Sequence, residues 1–416
     1  MRRSDSPPLA LSRSGARSVS RTSLALDNLR AIVILIVLAV HSVLAYLWST
    51  PAVGSDFNQP PYSWRSLPIV DSHRFFGFDL FCAWQDVYLM ALLFLLSGLF
   101  VWPSLNRKKD LAFLRDRVLR LGLPYVFGIA FLMPLAVYPA YRLTAADPSV
   151  VAYWHSLLAL PYWPNGPLWF VWQLLVLNLL AVGLNFIAPG AIPSLGRWAA
   201  AAEKKPARSV GVFLAVAASA YVPLAFVFTP WAWADGILGL QFSRPLLYTV
   251  YFFTGVGIGA AGIERGLLAA DGVLVRRWAS LLAAALVSFS IWLGLTALTM
   301  KGGASIGVEI ATDFSFVPAC AAGAFFLIAV CLRFATGRSR ILGYLAANAY
   351  GLYLVHYVFI VWLQFALLAS PLFAVVKAAI VFGGTLSLSL ATAAAVQRIP
   401  LGARLIGAPP RAVATS

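Results

Sequence analysis

The chain alternates between long apolar runs and short, mostly basic connections. Ten runs stand out, at about 29–48, 85–102, 121–140, 167–188, 209–230, 244–262, 278–300, 315–333, 341–369 and 372–395. As helices they are long enough to cross a hydrocarbon core of about 30 Å. Membrane strands would show about ten residues of alternating character, whereas these runs are continuous. The pattern predicts an all-α polytopic membrane protein with about ten transmembrane helices. Composition agrees: 61% of the 416 residues are hydrophobic, and the mean hydropathy is +0.83.

A net charge of +16 would suit a nucleic-acid binder, but its distribution does not. All but six of the 31 Lys and Arg fall in the N-terminal segment through Arg30, in the loops 103–120, 189–208, 263–277 and 333–340, or in the C-terminal tail. The other six, on the opposite side, are Arg65, Arg74, Arg142, Arg244, Lys301 and Lys377. A basic excess that switches side at every span follows the positive-inside rule. Both termini are therefore expected in the cytoplasm, with the protein in the cytoplasmic (inner) membrane and its basic loops near anionic lipid. No nucleic-acid module is visible, so no such partner is expected.

Residues 1–22, rich in Arg and Ser, read as a disordered basic cytoplasmic tail, 23–400 as the transmembrane domain and 401–416 as a short cytoplasmic tail. The first apolar run is too long for a signal-peptide core and lacks a clear cleavage site, so it is read as an uncleaved span. Cys82, Cys320 and Cys331 form no CxxC pair and are expected to pack as apolar residues. The four His have no paired spacing, so no metal site is expected.

The first span carries the sharpest chemical signal. Arg30 is followed by an unbroken apolar run, Ala31 to Val40, and then by His41. Eleven residues are about three turns, so Arg30 and His41 share a face roughly 16 Å apart, with Asp27 one turn before Arg30. Ionisable groups within a span usually face a protein interior or an aqueous cavity and mark a site. This face is expected to begin at one membrane surface and end near the middle of the bilayer. A second intramembrane imidazole, His356, shares a face with Tyr353. It reads either as a structural histidine bonded to a neighbouring helix or as part of a site. His73 and His155, in or near outer loops, read as ordinary.

Two loops add candidates. Residues 110–120 suit a short amphipathic helix on the membrane surface, with Arg117 and Arg120 pointing the same way and Arg115 nearby. These cations serve either topology and lipid contact or a phosphate site, since guanidinium forks grip phosphate oxygens. A nucleotide-bearing donor such as coenzyme A would fit. The outer aromatic cluster Pro161-Tyr-Trp-Pro-Asn-Gly-Pro167 reads either as an interfacial anchor or as a platform for a sugar ring.

Four segments, in order, resemble the acyltransferase family 3 membrane proteins. Leu26-Asp-Asn-Leu-Arg30 through His41 is similar to that family's Arg, ten residues, His motif. Phe94-Leu-Leu-Ser-Gly-Leu-Phe100 with Phe113-Leu-Arg115-Asp-Arg117-Val-Leu-Arg120 resembles its Ser-Gly helix end and Arg-x-x-Arg element. Gly166-Pro-Leu-Trp169-Phe-Val-Trp172 resembles its Leu-Trp-Phe helix start, and Tyr350-Gly-Leu-Tyr-Leu-Val-His356 its Tyr-Gly-Ile-Tyr-Leu-x-His segment. The match covers roughly 23–398, and the Trp-Pro-x-Gly-Pro-Leu-Trp-Phe variant leans toward the glucan-succinylating branch.

The resemblance implies transfer of an acetyl or succinyl group from cytoplasmic acyl-CoA to a hydroxyl of an envelope glycan or glycolipid. Arg115, Arg117 and Arg120 would hold coenzyme A, and Arg30 a phosphate or the donor near a tunnel mouth. His41 would act as general base or as acyl carrier. Trp169, Tyr353 and His356 are the substrate-binding candidates. If final delivery of the acyl group needs an esterase-like domain, a separate envelope protein is expected to supply it. The alternative from the residues alone is a transporter or flippase for an envelope lipid or glycan, with His relaying protons.

Overall fold

A computed structural model describes residues 20–50, 56–60, 62–228 and 239–399, with the isolated positions 232 and 402. The tails assigned to 1–22 and 401–416 lie almost wholly outside the described residues. The described residues hold nine helices long and apolar enough to cross a membrane. They are α1 (Arg21–Tyr46), α2 (Phe76–Lys108), α3 (Asp110–Thr144), α5 (Gly166–Ile187), α7 (Pro206–Val227), α9 (Trp278–Met300), α10 (Ile306–Phe334), α11 (Arg340–Ala366) and α12 (Ala374–Val396). The short helices α4 (Val150–Leu158) and α6 (Ala191–Lys204) lie between them. The remaining expected span is α8 (Pro245–Ala261), followed by an 89° bend into Gly266–Arg276; the pair counts as a tenth crossing if taken as one span. The protein is an all-helical, multi-pass membrane protein. Helical backbone is what lipid demands, because each amide must be satisfied within its own segment.

Several expected boundaries move. Helix α1 starts at Arg21, inside the expected tail, where the Ser20 hydroxyl accepts from the Ser23 amide at 3.2 Å. Its early start carries Asp27 and Arg30 well inside the helix. His41 then lies only about 8 Å of helical rise from the Tyr46 end, not near the midpoint. Helix α2 starts at Phe76 rather than 85 and takes Asp79 out of the expected outer segment. The expected surface helix 110–120 is continuous with the third span as α3. Lys- and Arg-rich connections gather with the start of α1 at one end of the bundle, the basic end.

Glycine sets the closest helix contact. A Cβ on Gly98 would sit 2.1 Å from the Phe252 carbonyl oxygen, and one on Gly255 2.1 Å from that of Leu95. Only hydrogen fits, so the backbones of α2 and α8 touch directly, as small residues allow in membrane helix pairs.

Helix α3 is broken by its own prolines and repaired by its neighbours. Pro124 has no N–H to return to the Arg120 carbonyl, and π turns interrupt the helix at Val118–Gly122 and Gly128–Leu132. The Tyr350 hydroxyl donates to the Arg120 oxygen at 2.8 Å. In the second π turn the i+5 partner of Ile129 is Pro134, again without N–H, and the Trp163 indole donates to Ile129 at 2.9 Å. Pro139 deprives Leu135, and the Trp362 indole donates there at 2.9 Å. Two of the three donors, Tyr350 and Trp362, belong to α11.

Opposite the basic end, Phe57, Trp64, Tyr141, Tyr153 and Tyr162 form a second small core. Phe57 stacks on Trp64 at 4.4 Å between ring centres. Tyr162 is thus buried in a cap, neither spread along a lipid interface nor open to a sugar.

Loss of a single aromatic donor should be measurable. Tyr350→Phe leaves the Arg120 carbonyl short of a partner and is expected to cost about 0.5–2 kcal/mol. Thermal unfolding in nanodiscs should fall for Tyr350→Phe and stay near wild type for Tyr344→Phe, whose side chain is exposed.

Candidate active site

Helices α1 and α11 bring the two intramembrane imidazoles together. The rings of His41 and His356 lie 5.1 Å apart, edge to face, and Tyr357 is 5.8 Å from His41. His41 Nδ1 lies 2.8 Å from the Val37 carbonyl and His356 Nδ1 2.6 Å from that of Tyr353. A carbonyl can only accept, so each Nδ1 carries the proton. In a neutral ring, Nε2 is then the free base. His356 is fully buried and its Nε2 has no hydrogen-bond partner among the described residues, while His41 is only half-buried. The Gln364 amide donates to the carbonyls of His41 at 3.0 Å and Ser42 at 3.3 Å, fixing the helix backbone at the site. The Tyr353 hydroxyl donates to the Pro167 carbonyl, joining α11 to the start of α5.

An aromatic wall leads away from this pair. Tyr353 lies 5.5 Å from His356 and 5.7 Å from Phe170. The adjacent Trp169 stacks on Tyr248 at 5.9 Å, and Tyr248 stacks on Phe94 at 4.9 Å. Trp169, Tyr353 and His356, drawn from distant parts of the sequence, thus line one connected region.

The cations do not converge in this way. Arg30 pairs with Asp27 at 3.2 Å and covers the Phe100 ring at 4.1 Å. Between Arg30 and His41 on their shared face, Ile34 and Val37 are buried. A π turn begins between Arg117 and Arg120, and the two guanidinium groups engage different partners. Arg117 lies 4.7 Å from the Phe113 ring, and its buried Nε has no hydrogen-bond partner among the described residues. Arg120 pairs with Asp116 at 3.0 Å, and Arg115 is exposed. A cavity of about 250 Å³ at the basic end, lined in part by Glu203 and Arg265, is separate from the histidine pair. Among the described residues, no group of three or more His, Cys, Asp or Glu is placed to hold a metal ion.

Two polar pairs escaped the sequence reading. Asp86 of α2 accepts from Arg244 through both carboxylate oxygens, at 2.8 and 2.6 Å. The expected run 85–102 places Asp86 at its edge, whereas α2 starts at Phe76 and holds this acid well inside an apolar helix, a position that marks a site. Lys377 of α12 is fully buried against Asp71 at 2.7 Å, with His73 Nδ1 3.3 Å from the same carboxylate. These residues had been sorted only as outer charges or ordinary loop positions.

The histidine geometry has a direct spectroscopic test. In ¹⁵N-histidine spectra of the protein in lipid at neutral pH, His41 and His356 should show protonated Nδ1 and bare Nε2, assigned by His→Gln variants. Bare Nδ1 with protonated Nε2 at either residue would contradict the hydrogen bonds described above.

The comparisons with known proteins bear on the whole chain. No curated protein and no solved structure matches it. A family model does: the acyltransferase domain of acyltransferase family 3 matches residues 23–394, a stretch that reaches from the first turn of α1 to the last turn of α12 and includes His41 and His356. With most of its length matched, the chain belongs to the acyltransferase 3 family of membrane proteins.

Proposed function

We propose that this membrane acyltransferase moves an acetyl or succinyl group from acyl-CoA to a hydroxyl of an envelope carbohydrate, with His41 at the reacting centre. The observation that carries the reading is the paired imidazole arrangement. Each Nδ1 is tied to a backbone carbonyl, which leaves Nε2 of the half-buried His41 as a base inside the bundle.

In the transfer, His41 Nε2 takes the acceptor hydroxyl proton as the oxygen attacks the thioester carbonyl. The carbon–sulfur bond then breaks, and the departing thiolate receives that proton from the imidazolium. A two-step variant forms an acyl-imidazole at His41 first and releases the thiol before the acceptor attacks. His356, against the His41 ring, positions it. Trp169 and Tyr353 line the substrate region.

The donor enters from the basic end, taken as cytoplasmic by the positive-inside rule. Arg117, with its unpartnered Nε, is the first candidate for a coenzyme A phosphate. Arg120 is partly neutralised by Asp116, and Arg115 is free to follow a flexible ligand. Arg30, held by Asp27 on the Phe100 ring, steadies the donor on its way to His41. Delivery to a more distant acceptor would call on a separate envelope protein.

Release of coenzyme A thiol by the purified protein in nanodiscs tests this, with acetyl- and succinyl-CoA and an envelope glycan extract. His41→Ala should lose at least about 100-fold in turnover. Arg117→Ala should raise the apparent donor constant about tenfold with a smaller effect on maximal rate. Full turnover by a folded His41→Ala protein would remove His41 from the mechanism.

A further inference from the structure

Helices α1 and α2 run antiparallel, and two contacts fix their register. Near the basic end Arg30 covers Phe100; near the other end the amides of Trp48 and Ser49 donate to the Asp79 carboxylate at 2.7 and 2.9 Å. Interpolation between these contacts along two helices sets Asp86 level with His41, within about one turn. Asp79, Asp86, Leu93 and Phe100 recur at heptad spacing and therefore share a face of α2. The basic end of that face meets α1, and its other end meets the two residues just past α1. Asp86 consequently lies between these two contacts, level with the imidazole.

The Asp86 side chain is 55% open, although it sits well inside an apolar span. An ionised carboxylate is not stable against hydrocarbon, so the open side must meet water or a polar ligand. Arg244 holds it in place. Its guanidinium is buried, grips both carboxylate oxygens, and lies 5.1 Å from the Phe316 ring. Its Nε is buried with no hydrogen-bond partner among the described residues. Each Asp86 oxygen retains lone pairs beyond those used by Arg244. Tyr248, one turn along α8 from Arg244, stacks on Trp169 and so extends the aromatic wall from the histidines to this pair. A fixed carboxylate beside flat aromatic faces suits a polyhydroxylated ligand, whose hydroxyls donate while its apolar ring face stacks.

We propose that Asp86, held by Arg244, is the acceptor subsite of the acyltransferase: its carboxylate accepts a hydrogen bond from a sugar hydroxyl neighbouring the one that His41 deprotonates. This rests on the acyl-transfer reading above. Asp86 is a binding residue here, and Arg244 a positioning residue that acts through it. No charge is transferred at Asp86, so the pair controls acceptor affinity and orientation while leaving donor binding alone.

The test uses the full chain in nanodiscs, labelled acetyl- and succinyl-CoA, and an envelope glycan extract as acceptor. Asp86→Asn and Arg244→Lys should raise the acceptor concentration for half-maximal transfer about tenfold or more. Direct binding of coenzyme A should stay within about twofold of wild type. A second arm replaces Asp86 by Cys in a background carrying Cys82→Ala, Cys320→Ala and Cys331→Ala. A small charged thiol reagent should label position 86, and the glycan extract should slow labelling. Wild-type transfer with an unchanged acceptor dependence in folded Asp86→Asn overturns the subsite alone. Should that variant not fold, failure of the charged reagent to label position 86 overturns it. Absence of transfer by wild type with either donor overturns the acyl-transfer reading, and the subsite with it.

Discussion

A backbone carbonyl without a donor is costly in water-poor surroundings, and hydrocarbon offers no replacement. Helix α3, with prolines at 124, 134 and 139, would leave such carbonyls at Arg120, Ile129 and Leu135 were it alone. Tyr350, Trp163 and Trp362 supply the missing donors. Two of these lie on α11, so closing the gaps in α3 also fixes the depth and rotation of α11. The same helix reaches α5 through Tyr353 and the His41 backbone through Gln364. His356 therefore rests on a frame of hydrogen bonds that it does not itself make.

On that frame the site divides its labour by helix. Helices α1 and α11 provide the imidazoles, α5 and α8 the aromatic wall, and α2 with α8 the carboxylate and its guanidinium. The direct backbone contact at Gly98 and Gly255 holds α2 and α8 in the register that lets Arg244 reach Asp86. The Ser-Gly pair in the sequence thus has a physical role some distance from the histidine pair. It removes the side chain that would push the two halves of the ion pair apart.

Much of the fold was legible from apolar runs, and the Arg30–His41 relation was legible because both lie on one helix. The helix ends were not. Hydropathy stops short of Asp79, yet α2 runs through it because neighbouring amides satisfy its carboxylate. The meeting of His41 with His356 depends on packing between helices, which no spacing within either encodes. The helix around Arg117 and Arg120 differs from expectation for another reason. Their i,i+3 relation assumes regular α geometry, and the π turn beside Pro124 breaks it. The proline was visible in the sequence; the widened turn it accompanies was not. The aromatic run at Pro161–Pro167 was recognised as a cluster, but whether its rings are open depends on Phe57 and Trp64, far away in the chain.

The Lys377–Asp71 pair bears on how the molecule is assembled. Each charge is buried, and either alone would be strongly destabilising, since an unpaired buried charge costs about 3–5 kcal/mol when its partner is removed. Asp71 precedes the second span and Lys377 lies near the start of the last. During synthesis the acid must therefore wait, hydrated, until the chain has been made as far as α12. When α12 arrives, its ammonium can leave water only by finding that carboxylate. The bundle is thereby latched by α12, and a chain that stops before α12 lacks the cation that lets its opposite end close.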